Sequence, residues 1–147
     1  MTPATPLTLV YEDPALRIYW HEQHGYYLSD WQHVFRKGED LRRSYRACID
    51  AAKARPGSPW LIDASKYAVL DPADAKWVAE WFWPEFMKAG VRYQAAISPA
   101  KAVGKMSANR ASETLAKMST LESTPHATRE EAEAAIIAWR AKQRLAK

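Results

Sequence analysis

The chain has 147 residues, of which 48% are hydrophobic and 26% are charged, and its net charge is +4. These values favour a globular domain with its own core and exclude a largely disordered chain. Cys48 is the only cysteine, which excludes an internal disulfide and a zinc site built from cysteines. No signal peptide or membrane-spanning stretch is recognisable, so the sequence predicts a cytoplasmic protein.

The first part of the chain predicts a β-hairpin followed by a helix. Apolar side chains alternate with polar ones over residues 7–11 and 16–21. Ser29 and Gln32 have the spacing of a capping box, which predicts a helix that ends near Arg55. Its apolar stripe is expected to contain Trp31, Val34, Phe35, Gly38, Leu41, Tyr45, Cys48, Ile49 and Ala52.

The rest of the chain alternates between predicted strands and helices. They are a strand at 59–63, a helix at 71–88, a strand at 91–98, a helix at 107–118, a strand at 120–124 and a helix from 128. Asp71 and Pro72 are typical of a helix start, Pro84 predicts a kink, and Thr128 with Glu131 form a second capping box. The order ββαβαβαβα favours an α/β fold, with a mixed, mostly parallel sheet packed with helices.

We expect one domain over residues 1–147, with short flexible ends at 1–6 and 142–147. The five glycines form neither a dinucleotide-binding nor a P-loop motif, and no hydrolase or metalloprotease motif is present. The sequence therefore predicts no cofactor and does not favour an enzyme.

Two groups of charged or metal-ligating residues are explained without a functional site. His21, Glu22, His24 and His33 are close in sequence, but their spacing defines no ligand geometry, so solvent-facing histidines are favoured over a metal site. The predicted first helix is basic, with cations that Glu39 and Asp40 can reach at helical spacing: Arg36, Arg42 and Arg43. A salt-bridged face is favoured over a nucleic-acid interface.

Trp77 and Trp81 are the most unusual residues of the second predicted helix. At 100° per residue they lie among charged residues, whereas Phe82 and Phe86 lie on the opposite, apolar face. An exposed pair indicates a protein interface, and a homodimer is the first candidate. The alternative is that the kink at Pro84, or a covering loop, buries both rings within the monomer.

Two further sites are candidates. The aromatic residues Tyr26, Tyr27, Trp31 and Trp83, with Trp81, could line a pocket for a small apolar or aromatic ligand. Asp63 and Ser65 follow a buried strand, at the sheet edge where ligands bind in open α/β sheets. Satisfying backbone donors in a turn is the favoured role of this second pair.

Four segments of the chain carry a resemblance to a known fold: Leu16–Trp20 with Gly25, Trp60–Asp63, Trp81–Val91 and Ala95–Pro99. They resemble STAS-like proteins, the fold of bacterial anti-sigma-factor antagonists, and a set of uncharacterised bacterial proteins that share it. The resemblance covers nearly the whole chain. It implies a non-catalytic regulator that binds partner proteins, with Ser65 at the position that is phosphorylated in antagonists. Similarity to lipid-binding relatives implies the apolar-ligand alternative.

Overall fold

The computed structural model describes residues 7–67, 70–97 and 121–145, which form one mixed six-stranded sheet packed with helices. In spatial order the strands are β1 (Leu7–Glu12), β2 (Leu16–His21), β3 (Tyr26–Trp31), β4 (Trp60–Asp63), β5 (Tyr93–Ile97) and β6 (Glu122–His126). The first three strands pair antiparallel, and β3 to β6 are parallel. The α/β class is confirmed.

Helices cover both faces of this sheet. They are α1 (Glu39–Ala54), α2 (Pro72–Trp77), a π-helical segment (Val78–Phe82), α3 (Trp83–Lys88) and α4 (Arg129–Leu145). The helices α1 to α3 bury one cluster that includes Ile18, Trp60 and Phe86. On the opposite face, α4 buries a smaller cluster around Leu61 and Ile136. No helix in the described ranges is long and apolar enough to cross a membrane.

The segment expected to begin the first helix is instead the central strand β3. All six of its residues are buried, so it lacks the alternation that marks a half-exposed strand. The order therefore begins with three strands instead of two. Helix α1 begins only at Glu39, after Gly38 with a φ of 63°, and Val34 and Phe35 are exposed instead of inward-facing.

Other predictions of local structure are confirmed. The hairpin of β1 and β2, the buried strand β4 and the inward stripe from Leu41 to Ala52 are all present. Thr128 Oγ1 accepts a hydrogen bond from the Glu131 amide at the start of α4. This helix continues to Leu145, within the end predicted to be flexible. The predicted helix at 107–118 and the N-terminal end at 1–6 lie outside the described residues.

Candidate functional site

Trp77 and Trp81 form a stacked pair on the outer side of the helix that begins with α2. Their ring centroids are 4.8 Å apart with planes inclined by 21°. The Arg42 guanidinium of α1 lies over the Trp77 ring, 5.1 Å from its centroid. Trp77 is half-buried near Tyr45, whereas Trp81 is 38% exposed. We call Arg42, Trp77 and Trp81 the tryptophan surface; the structure places one ring at the core margin and the other in solvent.

Local sequence explains why the two rings stack. A spacing of four residues places side chains on neighbouring helical turns. The Asp71 carboxylate accepts a hydrogen bond from the Ala73 amide, which fixes the start of α2. The kink expected at Pro84 is accommodated by the π-helical segment before it. There the Trp83 amide donates to the Val78 carbonyl, five residues earlier, and the wider turn makes room for the proline ring.

Asp74 connects this helix to α1. Its carboxylate is 2% exposed and accepts a hydrogen bond from the Gly38 amide, with N···O distances of 3.0 and 3.2 Å. Asp74 Oδ1 also lies 3.5 Å from Nε of Arg42. One buried carboxylate therefore caps α1 and holds the arginine that lies over Trp77.

The segment that leads to Gly38, and so to the contact with Asp74, is apolar and basic. Val34 and Phe35 are exposed, and Arg36 and Lys37 follow them directly. Neither of these two cations forms an ion pair within the described part of the chain. The ion pairs expected at helical spacing between Glu39 or Asp40 and Arg36, Arg42 or Arg43 are not observed among the described residues. Glu39 instead binds Arg46, seven residues later, at 2.8 and 3.0 Å. Two cations without an ion-pair partner among the described residues therefore precede α1, and the first turn of this helix carries the carboxylates of Glu39 and Asp40.

The four pocket candidates are not brought together. Tyr26 and Tyr27 are neighbours in β3, so their side chains lie on opposite faces of the sheet, in different clusters. Tyr27 packs against Trp60 in the larger cluster. Trp31 contacts Tyr45 in the same cluster, and Trp83 is half-buried beside Phe82. These rings fill two cores instead of lining one pocket.

Asp63 and Ser65 lie at the carboxyl edge of the parallel strands, as expected. The Ser65 hydroxyl and amide donate to Asp63 Oδ1, at 2.6 and 3.0 Å. Arg129 of α4 donates to Asp63 Oδ2 at 2.7 Å and lies 3.1 Å from Asp30 Oδ1 of β3. Burial raises the pKa of Asp63, but the hydrogen bonds from Ser65 and Arg129 lower it more, to below its usual value. Phosphorylation of Ser65 stays a prediction.

The histidines occupy different places. His21 and His24 stack with ring centroids 5.1 Å apart, and His21 Nε2 lies 3.6 Å from Glu133 Oε2. His21 is buried instead of solvent-facing, and this burial lowers its pKa despite the neighbouring carboxylate. His33 lies apart from these two histidines, and its Nδ1 is within hydrogen-bond distance of the Lys66 carbonyl oxygen. Within residues 7–67, 70–97 and 121–145, no three His, Cys, Asp or Glu side chains are arranged to hold a metal ion.

Comparisons with protein-family models, curated proteins and solved structures found no match to this chain. The choice among its surfaces therefore depends on geometry and charge. The carboxylates of Asp30 and Asp63 at the carboxyl edge are paired with Arg129 and Lys66, whereas Trp81 presents an aromatic ring to solvent. The tryptophan surface is the better candidate site.

Proposed function

We propose that this chain is a non-enzymatic STAS-like interaction module that binds an acidic partner protein through the tryptophan surface. The exposed ring of Trp81, stacked on Trp77, is the observation that carries the proposal. The mixed sheet packed with helices on both faces supports it at the level of fold class.

The geometry of the stack suits protein recognition. Tryptophan and arginine are over-represented among the residues that contribute most to binding energy at protein interfaces. Trp77, which itself lies against Arg42, stacks on the Trp81 ring before any partner arrives, so little side-chain entropy is lost on binding. A partner side chain that covers the outer face of this ring removes apolar surface from water.

The cations that precede α1 favour an acidic partner, although the first turn of the helix also carries Glu39 and Asp40. Arg36 and Lys37 precede α1 without ion-pair partners among the described residues, beside the exposed side chain of Phe35. A segment with both carboxylates and an apolar side chain complements this combination. Opposite charges at the rim of an interface accelerate association and make it sensitive to salt.

The test compares three versions of the purified chain as bait: wild type, Trp81→Ala and Ile137→Ala. Ile137 is the matched control because it is 41% exposed and lies on α4, on the other face of the sheet. A protein that wild type and Ile137→Ala enrich more than Trp81→Ala is then purified and titrated against all three by calorimetry. We expect Trp81→Ala to weaken binding on the order of tenfold or more.

Two results would overturn the proposal. The first is that no protein distinguishes wild type from Trp81→Ala. The second is that the purified protein binds both with equal affinity or without dependence on salt. Enrichment of lipid or of a small aromatic molecule instead would support the apolar-ligand alternative.

A further inference from the structure

The sheet has two edges, and they differ in how they are protected. At one edge, β6 carries Pro125, which has no N–H to offer another strand, among mostly polar neighbours. At the other edge, β1 has no charged residue before Glu12. Leu9 and Val10 of β1 are 51% and 47% exposed, and no described strand pairs with its outer side. An apolar edge strand of this kind is a template for pairing with another strand.

A groove of about 480 Å³ runs beside this edge, between β1 and α1. Val10 and Tyr11 line one side, and a β-bulge shifts the register of β1 against β2 at this point. The α1 side contains small residues, including Ala47, and three charged residues, Arg43, Arg46 and Asp50. Arg46 is paired with Glu39, whereas Arg43 and Asp50 form no ion pair with a residue that the structure describes, so these two charges are available to a partner.

The positions of Arg43 and Asp50 indicate which kind of partner fits the groove. Asp50 repels an acidic partner and Arg43 repels a basic one, and they lie two helical turns apart. A surface that carries the same two charges in reverse order complements both. A twofold axis produces that surface from this chain itself, because a twofold interface uses the same patch on both subunits.

We propose that β1 pairs antiparallel with β1 of a second copy of this chain, so that two six-stranded sheets join into one. Pairing centred near Leu9 and Val10 covers the most exposed apolar side chains of the strand. It also satisfies outward backbone groups and places the α1 helices side by side, with Arg43 of each copy facing Asp50 of the other. This surface is separate from Trp81, so the inference does not depend on the proposed partner.

The test is the mass in solution, measured by light scattering over a concentration series. Wild type is expected at twice the mass of one chain. Leu9→Lys places a charge at the strand edge and is expected to raise the dissociation constant on the order of tenfold or more. Ile137→Lys, at an exposed apolar site on α4, and Trp81→Ala are expected to stay dimeric.

Charge reversal tests the twofold geometry directly. Arg43→Asp places a carboxylate opposite Asp50 of the other copy. Asp50→Arg places a guanidinium group opposite Arg43 of the other copy. Each single substitution is therefore expected to weaken the dimer. The double variant Arg43→Asp with Asp50→Arg restores opposite charges across the axis and is expected to recover it. A monomeric wild type at every concentration overturns the inference. So does a dimer that Leu9→Lys leaves unchanged, that Trp81→Ala dissociates, or that the double reversal fails to restore.

Discussion

Substitution of Asp74 tests how the tryptophan surface is held in place. Asp74→Ala removes the acceptor for the Gly38 amide and the negative charge beside Arg42. Asp74→Asn keeps an oxygen for Gly38 and removes only the charge. The two substitutions therefore separate the cap of α1 from the ion pair between Asp74 and Arg42.

The structure allows the cost of each change to be worked out. Breaking a buried ion pair costs about 3–5 kcal/mol, because one charge stays buried without a partner. Arg42 is 31% exposed, so water relieves part of this penalty, while losing a helix cap adds about 1 kcal/mol. We expect Asp74→Ala to lower the free energy of unfolding by about 3 kcal/mol, and Asp74→Asn, which keeps the cap, by about 2 kcal/mol.

Urea unfolding followed by circular dichroism, at one fixed protein concentration, measures both values. Arg42→Met keeps an unbranched side chain over Trp77 and completes a double-mutant cycle with Asp74→Asn, where a coupling energy of about 1–2 kcal/mol is expected. Lys76→Met is the control, since its pair with Glu80 is exposed and should contribute less than about 0.5 kcal/mol. Equal costs for Asp74→Ala and Asp74→Asn, or a coupling energy near zero, would refute the role assigned to the carboxylate.

Two further predictions concern Arg129 and Cys48. Arg129→Ala should lower the free energy of unfolding by about 2 kcal/mol at pH 7, whereas removing the exposed pair of Arg17 should cost at most about 0.5 kcal/mol. A carboxyl whose pKa is depressed by folding stabilises the protein above its unfolded pKa and loses this effect as the pH falls. Arg129→Ala raises the pKa of Asp63, so acid unfolding should begin at a higher pH; an unchanged acid midpoint would contradict this. Burial raises the pKa of the Cys48 thiol, so a thiol reagent should modify it much faster in urea than in the native protein; equal rates would contradict its burial.

Local signals in the sequence predicted the outer elements better than the central one. The hairpin alternates between buried and exposed side chains, and Asp71 with Pro72 has the chemistry of a helix start, so both were identified. In β3 both faces are covered, which removes the period of two. The spacing of Ser29 and Gln32 then imitates a capping box, although the Ser29 side chain is buried in the sheet.

The candidate site was predicted only where its partners are close in sequence. Trp77 and Trp81 are one helical turn apart, so their pairing follows from helical periodicity. Arg42 and Gly38 reach this helix from a segment more than thirty residues earlier, and Arg129 reaches Asp63 across 66 residues. A single sequence contains no local signal for such contacts, because tertiary packing decides them.

The two proposed surfaces, if both exist, have a joint consequence. Strands that pair antiparallel across a twofold axis keep the same face of the joined sheet, so both copies of α1 lie on that face. The two tryptophan surfaces then point in the same direction, and the dimer can bind two partner molecules that are fixed to one support. Binding of the second molecule becomes intramolecular and increases the apparent affinity.

This consequence gives a measurement that separates dimerisation from recognition. The Leu9→Lys variant is expected to dissociate from a partner-coated surface much faster than the wild-type dimer does. The dimer holds the surface through two contacts, whereas each variant monomer has only one. Its affinity for the same partner free in solution should be unchanged, since Trp81 is untouched. Trp81→Ala should weaken binding in both formats. If Leu9→Lys reduced the affinity in solution as well, the strand edge would belong to the partner-binding surface instead of joining two copies of the chain.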